Sequence, residues 1–397
     1  IFLILMLTGC SVALRPLDRD QLLSDSKKSL KDMQGDMNPI GQTIDLDEAI
    51  ARGLKYNLDF RVKQYEEALA VNQKDIASLE MLPKVIGQAG YYKRNNDPIN
   101  TSVDAATGAP STSRYISTDR TIRSADLGLS WNILDFGASY FSARQEGDRM
   151  LIALEKRRKA MHNLVQGIRT AYLRAYAAQL LEAEVNTTIK MSEEALKHAK
   201  QAELEKLRSP ADILKTEKTI LDNLRILESV NQELSTARHE LNAYMNAPQG
   251  SNYTLASPDK NLLSPKQLAL PMDSMEDLAI LNNADFREQL YTARIAKDEV
   301  KKNMLKLFPG ISFNYSGHEN SNSFLVNSHW QDAAVQVSWN LLNVLSIPAQ
   351  MSASKNANEV HDKRRAAVLM GLITQVHIAS LQYENAYQAY QRSESIL

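Results

Sequence analysis

The sequence predicts a mainly α fold with a smaller β part, built as helix, β-hairpin and long coiled-coil hairpin, with that unit duplicated. Three observations carry this expectation. Tyr140 to Leu207 holds no proline and only two isolated glycines, Gly147 and Gly167. Several stretches alternate between apolar and polar residues, as two-faced strands do. Short identities recur in the same order at fixed offsets, the trace of an internal duplication.

The chain has 397 residues, enough for two or three domains. Its 46 basic residues balance 47 acidic ones, so nucleic acid is not an expected partner. Only 15 Gly and 12 Pro interrupt it, which suits a helical protein. Mean hydropathy is −0.35. No run of 18 or more apolar residues occurs, so no membrane-spanning helix is expected. Membrane contact would come instead from the first residues. Ile1 to Leu7 is apolar and leads into Thr8-Gly9-Cys10, which reads as the clipped end of a bacterial lipoprotein signal. Cys10 is then the lipid-attachment residue, and Ser11 behind it favours outer-membrane delivery. Each buried CH₂ of an acyl chain contributes about 0.8 kcal/mol, so several chains would hold firmly. Cys10 is also the sole cysteine, which leaves no internal disulfide.

Residues 11–43 read as an N-terminal tail without a clear period. A helix opens near Asp45-Leu46-Asp47-Glu48, with acidic residues where the helix dipole favours them. It runs through Asn57 to about Leu82, and Pro83 ends it. Residues 84–95, with Tyr91 and Tyr92, carry a weak strand signal, and Arg94 to Thr121 reads as a polar loop. In the next strand Ala125, Leu127, Leu129, Trp131 and Ile133 alternate with Ser124, Asp126, Gly128, Ser130 and Asn132. Asp135-Phe136-Gly137 is read as the turn into the long helix.

That helix carries two seven-residue series, Met161, Ile168, Ala175, Ile189, Leu196 and Leu164, Ala171, Ala178, Val185, Ala199. Sustained 3-4 spacing marks a coiled-coil seam. At roughly 1.5 Å per residue the helix would run about 100 Å. Pro210 stops it and suits the first turn of the next helix, behind Ser209 as N-cap. Ile213, Ile220, Leu227, Leu234 and Leu241 then repeat every seven residues. Two heptad helices joined by a short turn form an antiparallel hairpin with its tip at Arg208 to Asp212. Residues 251–272, with their prolines, read as a linker.

Asn283-Ala284-Asp285-Phe286-Arg287 matches Asn57-Leu58-Asp59-Phe60-Arg61 at an offset of 226 residues, and Pro309 matches Pro83. Ile311, Phe313 and Tyr315 alternate with polar neighbours, and Ala333 to Leu341 alternates again. Ser338-Trp339-Asn340 matches Ser130-Trp131-Asn132 at an offset of 208. The expected organisation is a signal remnant at 1–10, tail 11–43, repeat 44–250, linker 251–272 and repeat 273–397. If the copies are equal, the second lacks about 58 residues, including its hairpin tip.

Four strands with one apolar and one polar face suit a transmembrane β part, with lipid on one side and water on the other. Four cannot close a barrel, and open edges are not tolerated in lipid, so oligomerisation is implied. The order of elements behind Leu7-Thr8-Gly9-Cys10 resembles the TolC family of outer-membrane efflux ducts, most of all its lipid-anchored branch. The stretches that carry the resemblance are Leu46 to Ile50, Asn57 to Phe60, Leu82-Pro83, Trp131 to Gly137 and Ser209 to Leu214. The resemblance implies a homotrimer with a β-barrel of 12 strands, continued as an α-barrel through the periplasm of a Gram-negative bacterium. It implies a passive exit duct for efflux or type I secretion, docked on a periplasmic adaptor and an inner-membrane pump. Asn343-Val344-Leu345 departs from Asp135-Phe136-Gly137 at the second strand-to-helix turn, and the family's acidic constriction falls on the second hairpin.

The expected adaptor contact is the tip, Arg208, Ser209, Pro210, Ala211 and Asp212, with a purely structural turn as the alternative. Trp131, Trp339, Tyr91 and Tyr315 are candidates for interfacial aromatics, against ordinary strand packing. His318-Glu319 with His329 is the nearest approach to a metal cluster, but it is read in a polar loop and no metal is expected. With no Gly-rich phosphate loop, no Gly-x-Ser-x-Gly elbow and no nucleophilic Cys, neither catalysis nor a cofactor is expected. The rival readings are a periplasmic adaptor and a coiled-coil scaffold lipoprotein without a pore.

Overall fold

A computed structural model of the chain describes residues 16–35, 37–205, 209–259 and 264–395. The order is α1 (Arg19–Gly35), β1 (Thr43–Ile44), α2 (Leu46–Tyr56), α3 (Leu58–Leu79), β2 (Lys84–Lys93), β3 (Ile99–Val103), β4 (Pro110–Ile116), β5 (Thr121–Asn132), α4 (Ile133–Leu204) and α5 (Pro210–Met245). There follow β6 (Thr254–Leu255), α6 (Met272–Asn282), α7 (Ala284–Leu305), β7 (Gly310–Asn320), β8 (His329–Ser338), a 3-10 turn (Leu341–Ser346) and α8 (Ile347–Glu394). The tail therefore carries a helix, α1, and the stretch read as linker carries β6. The contacts divide the chain into two units, Ile1–Arg61 with Ala160–Pro265, and Val62–Lys159 with Lys266–Leu397.

In the first unit the core gathers around Tyr172, which is fully buried. β1 and β6 pair in parallel, Ile44 opposite Leu255. The Tyr172 hydroxyl lies 2.7 Å from the carbonyl oxygen of Ala256 and 3.0 Å from that of Ile44, so it bridges both strands. Gln179 completes the clamp, donating to the Leu255 carbonyl at 3.0 Å and accepting from its N–H at 2.8 Å. Leu164, Ile168, Ala171 and Ala175 of α4, all in the predicted series, are buried with Leu241 of the α5 series and with Ala237 and Met245, which lie outside it. Leu224, outside the predicted series, is buried as well.

The helix read as continuous from Asp45 to Leu82 is broken at Asn57. Asn57 leaves helical geometry, with φ −61° and ψ 124°. Its side-chain oxygen then accepts from the Phe60 N–H at 3.0 Å, an N-cap for α3. Asn283 repeats the device, accepting from the Phe286 N–H at 2.8 Å between α6 and α7. The shared Asn-x-Asp-Phe-Arg motif is thus a helix break.

In the second unit a four-stranded antiparallel sheet runs in the order β2-β5-β7-β8. The long helix begins at Ile133, seven residues before Tyr140, so Asp135-Phe136-Gly137 is helical rather than a turn. The reason is Asn132, whose side-chain oxygen accepts from the N–H groups of Leu134 at 2.8 Å and Asp135 at 3.1 Å. The region read as a polar loop contains the β3–β4 hairpin, turned by Asp104, which accepts from Ala106 N–H at 2.8 Å, and by Gly108 at φ +68°. The Ala106 N–H, and then the Thr107 N–H at 3.2 Å, hold the Asp104 carboxyl below the usual carboxylate range. β7 extends to Asn320 and β8 opens at His329, so His318, Glu319 and His329 lie in strands rather than a loop. β8 ends at Ser338, and Trp339 and Leu341 lie past it.

The first part of α4 meets α7 through charge. Glu155, almost fully buried, pairs with Arg158 at 2.8 Å and Arg287 at 3.3 Å. Asp298, equally buried, faces Arg144 at 3.2 Å and Lys301 at 3.3 Å. Gln145 donates to the Ile295 carbonyl at 3.1 Å and to Glu299 at 2.9 Å. That bond, and then Lys302 beside it, hold the Glu299 carboxyl below the usual range. Buried charges persist only when paired, as Glu155 and Asp298 are here.

Candidate functional site

The four-stranded sheet is the wrong way round for a soluble protein. Along β5 the apolar residues Leu127, Leu129 and Trp131 are exposed, while Asp126, Ser130 and Asn132 are partly covered. Register carries the apolar face across all four strands: Val85, Leu129, Tyr315 and Ala333 lie in one row, and Trp131, Phe313 and Val335 in the next. Leu127 is 62% exposed and Val335 67%. A contiguous apolar face of this kind marks contact with a partner or a membrane.

The opposite face is polar and internally bonded. Ser130 donates to Asn314 Oδ1 at 2.7 Å, and Asn132 donates to Ser312 Oγ at 2.7 Å. Gly128 keeps that face closely packed, because a Cβ there would stand 3.0 Å from Ser316 Oγ. His318 lies between Asp126 and Asp332 on the same face. The sequence reading missed this cluster, although extending the β7 alternation by one step from Ser316 would have placed His318 there.

The predicted aromatics are spread over the sheet. Trp131 stands at its helix end, edge-on to Phe136 with centroids 5.8 Å apart. Trp339, beyond β8, donates its indole N–H to the Leu307 carbonyl at 3.0 Å. Tyr91 lies opposite Arg123 towards the loop end. Tyr315 sits in the middle rows, where its hydroxyl donates to Gln331 at 2.7 Å. At the helical tip, Ser209, Pro210, Ala211 and Asp212 are exposed, while Ile213 is buried. The Ser209 side chain makes no cap bond. Its carbonyl instead accepts from Asp212 N–H at 3.1 Å and Ile213 N–H at 3.2 Å. Arg208 and Cys10 lie outside the described residues.

No protein-family profile matches the chain, and no curated protein matches its sequence. Solved structures do. The outer-membrane channel OprN superposes with a TM-score of 0.61 at 17% identity, over 88% of this chain and 75% of that one. The Campylobacter jejuni CmeC outer membrane channel gives 0.62 at 14% identity, over 88% and 75%. The Vibrio cholerae outer membrane protein VceC gives 0.59 at 10% identity, over 88% and 83%. The chain has the fold of TolC-family outer-membrane channels.

The strands form one sheet whose outer members, β2 and β8, each pair on one side only among the described residues. Among the described residues α4 and α5 share one buried cluster. One helix, α8, is long and apolar enough by length and composition to cross a membrane, against the expectation from sequence. Along it, His377 lies 2.9 Å from Glu276 of α6, and Tyr383 donates to the Lys266 carbonyl. Among the described residues no group of His, Cys, Asp and Glu suits a metal ion. Glu319 and His329 lie 3.5 Å apart, but His318 points to the other face.

Proposed function

We propose that this chain is the outer-membrane exit duct of a tripartite efflux or type I secretion system. The observation that carries the reading is the inverted sheet, apolar side exposed and polar side bonded within itself, with an edge at either end that is unpaired among the described residues. In a bilayer the apolar face meets lipid and the polar face meets water. Unpaired edges are costly there, so sheets from several copies must join edge to edge until the ring closes. Three copies of four strands give the 12-stranded barrel that the resemblance implies, and a homotrimer of the chain is the assembly.

Equivalent helix breaks at Asn57 and Asn283, and equivalent bonds accepted by the Asn132 and Asn340 side chains from the N–H two residues on, support a duplicated subunit with repeats at 44–250 and 273–397. Cys10 is the proposed lipid attachment. Ser209 to Asp212, with Arg208, is the proposed docking surface for a periplasmic adaptor, which joins the duct to an inner-membrane pump. The duct itself is passive; the pump supplies the energy and selects the cargo. Trp131 and Trp339 at one end of the sheet and Tyr91 at the other are the proposed interfacial aromatics, with Tyr315 between them.

Single-channel recording of the full-length protein in planar bilayers, with its mass measured in detergent, tests the reading. Steady conduction without an energy source, from a particle of three subunits, is the expected result. A non-conducting monomer that binds liposomes only through Cys10 would replace the duct with an adaptor or scaffold.

A further inference from the structure

On the polar face of the sheet, His318 is gripped from both sides. Its Nδ1 lies 2.6 Å from Asp126 Oδ1 on β5, and its Nε2 lies 3.1 Å from Asp332 Oδ2 on β8. The imidazole stacks on the indole of Trp330, with centroids 5.0 Å apart and planes at 19°. Carboxylates can only accept, so both ring nitrogens must donate to satisfy both neighbours. Only the imidazolium carries two N–H groups; neutral histidine has one. Groups on three strands and the indole hold the ring in place.

We propose that Asp126, His318 and Asp332 form a proton-operated selectivity station on the pore wall, repeated in every subunit. The proposal rests on the duct reading above. With His318 charged, the station carries one net negative charge; with His318 neutral, both carboxylates stand uncompensated. A wall of one sign concentrates ions of the other, so cation preference rises as the proton leaves. The charges near His318 on this face are those of the station. Gln88, opposite Asp126 on β2, is uncharged, and Lys84 lies two rows further down. Glu319 and His329 point to the other face, as does Arg123.

The test is the reversal potential of the full-length channel in a KCl gradient, for wild type, H318Q and D332N. In the wild type, the K⁺ over Cl⁻ permeability ratio is expected to rise at least about twofold between about pH 5 and about pH 8, where histidine titrates. H318Q should conduct with a ratio that no longer changes over that interval. D332N, altered at an exposed side chain of the outer strand, should lower the ratio at both ends. A conducting wild type with a flat ratio, an H318Q that keeps the full response, or a D332N ratio equal to wild type would overturn the station and leave the duct standing. A folded trimer that passes no current would overturn the duct reading and the station with it.

Discussion

Asn132 donates its side-chain amide to Ser312 Oγ at 2.7 Å, across a strand pair that joins residues 180 positions apart in the chain. One pair along the same face, Ser130 and Asn314 repeat the bond at 2.7 Å. β5 belongs to the first repeat and β7 to the second. The two copies are therefore sewn together through the polar face, while the apolar face on the other side is left exposed. A soluble two-layer domain would do the reverse, since its apolar face must be covered.

That inversion sets the first prediction. Leu127→Arg on the apolar face should abolish stable membrane assembly, because a cation facing lipid near the midplane costs about 2–4 kcal/mol per subunit. Ser316→Arg, on the polar face, should assemble and conduct. Membrane fractionation and the mass of the detergent-extracted particle check both. Equal tolerance of the two changes would mean that lipid does not contact Leu127.

Asn57 and Asn283 cap equivalent helices, but Asn57 also donates its side-chain amide to the Tyr244 carbonyl at 3.1 Å. Asn283→Ala should cost about 1 kcal/mol, the worth of a cap. Asn57→Ala should cost a further 1 kcal/mol or about that, for the carbonyl left without its partner. Thermal or urea unfolding of the two variants measures the difference, and equal losses would show that the Tyr244 contact contributes nothing.

Gly167 is a close approach rather than a flexible point. A Cβ there would meet the Tyr244 ring at 2.7–2.9 Å. Gly167→Ala should therefore destabilise the unit by about 1–3 kcal/mol, the usual cost of overpacking. Adding Tyr244→Ala should recover part of that loss, so the two changes should be non-additive. Strict additivity in unfolding measurements would argue against the contact.

Tyr172 provides the pH prediction. Burial, then the charge of Asp45, pushes its phenol up from 10.0 to about 12. The neutral form is the one the fold favours. Its stabilisation is complete below pH 10, the unfolded value, and is lost as pH rises from there through about 12. Tyrosinate absorbance should show one phenol ionising last, and Tyr172→Phe should remove that step. The same variant should lose about 1 kcal/mol at neutral pH, for the bond to Ala256.

Much of this architecture is legible in the sequence, and its gaps have particular causes. The heptads of α4 and α5 show because helical burial repeats with the chain's own period. Asn57 was hidden because apolar periodicity runs through it; only its side-chain chemistry, repeated at Asn283, marks a break. The β3–β4 hairpin was hidden because its strands are short and polar. His318 was read into a loop because β7 runs past the last apolar residue of its pattern.

The sequence by itself determined the long helices, the four strands of the main sheet with their two faces, and the internal repetition. These follow from local spacing and from comparison of the chain with itself. The tertiary structure decided that β5 pairs with β7 across the repeats, that the apolar side of the sheet is the exposed one, and that Asp126, His318 and Asp332 meet. Alternation gives a strand two faces but does not say which faces outward or which strand lies beside it. Those choices depend on contacts between residues far apart in the chain, and only the fold brings them together.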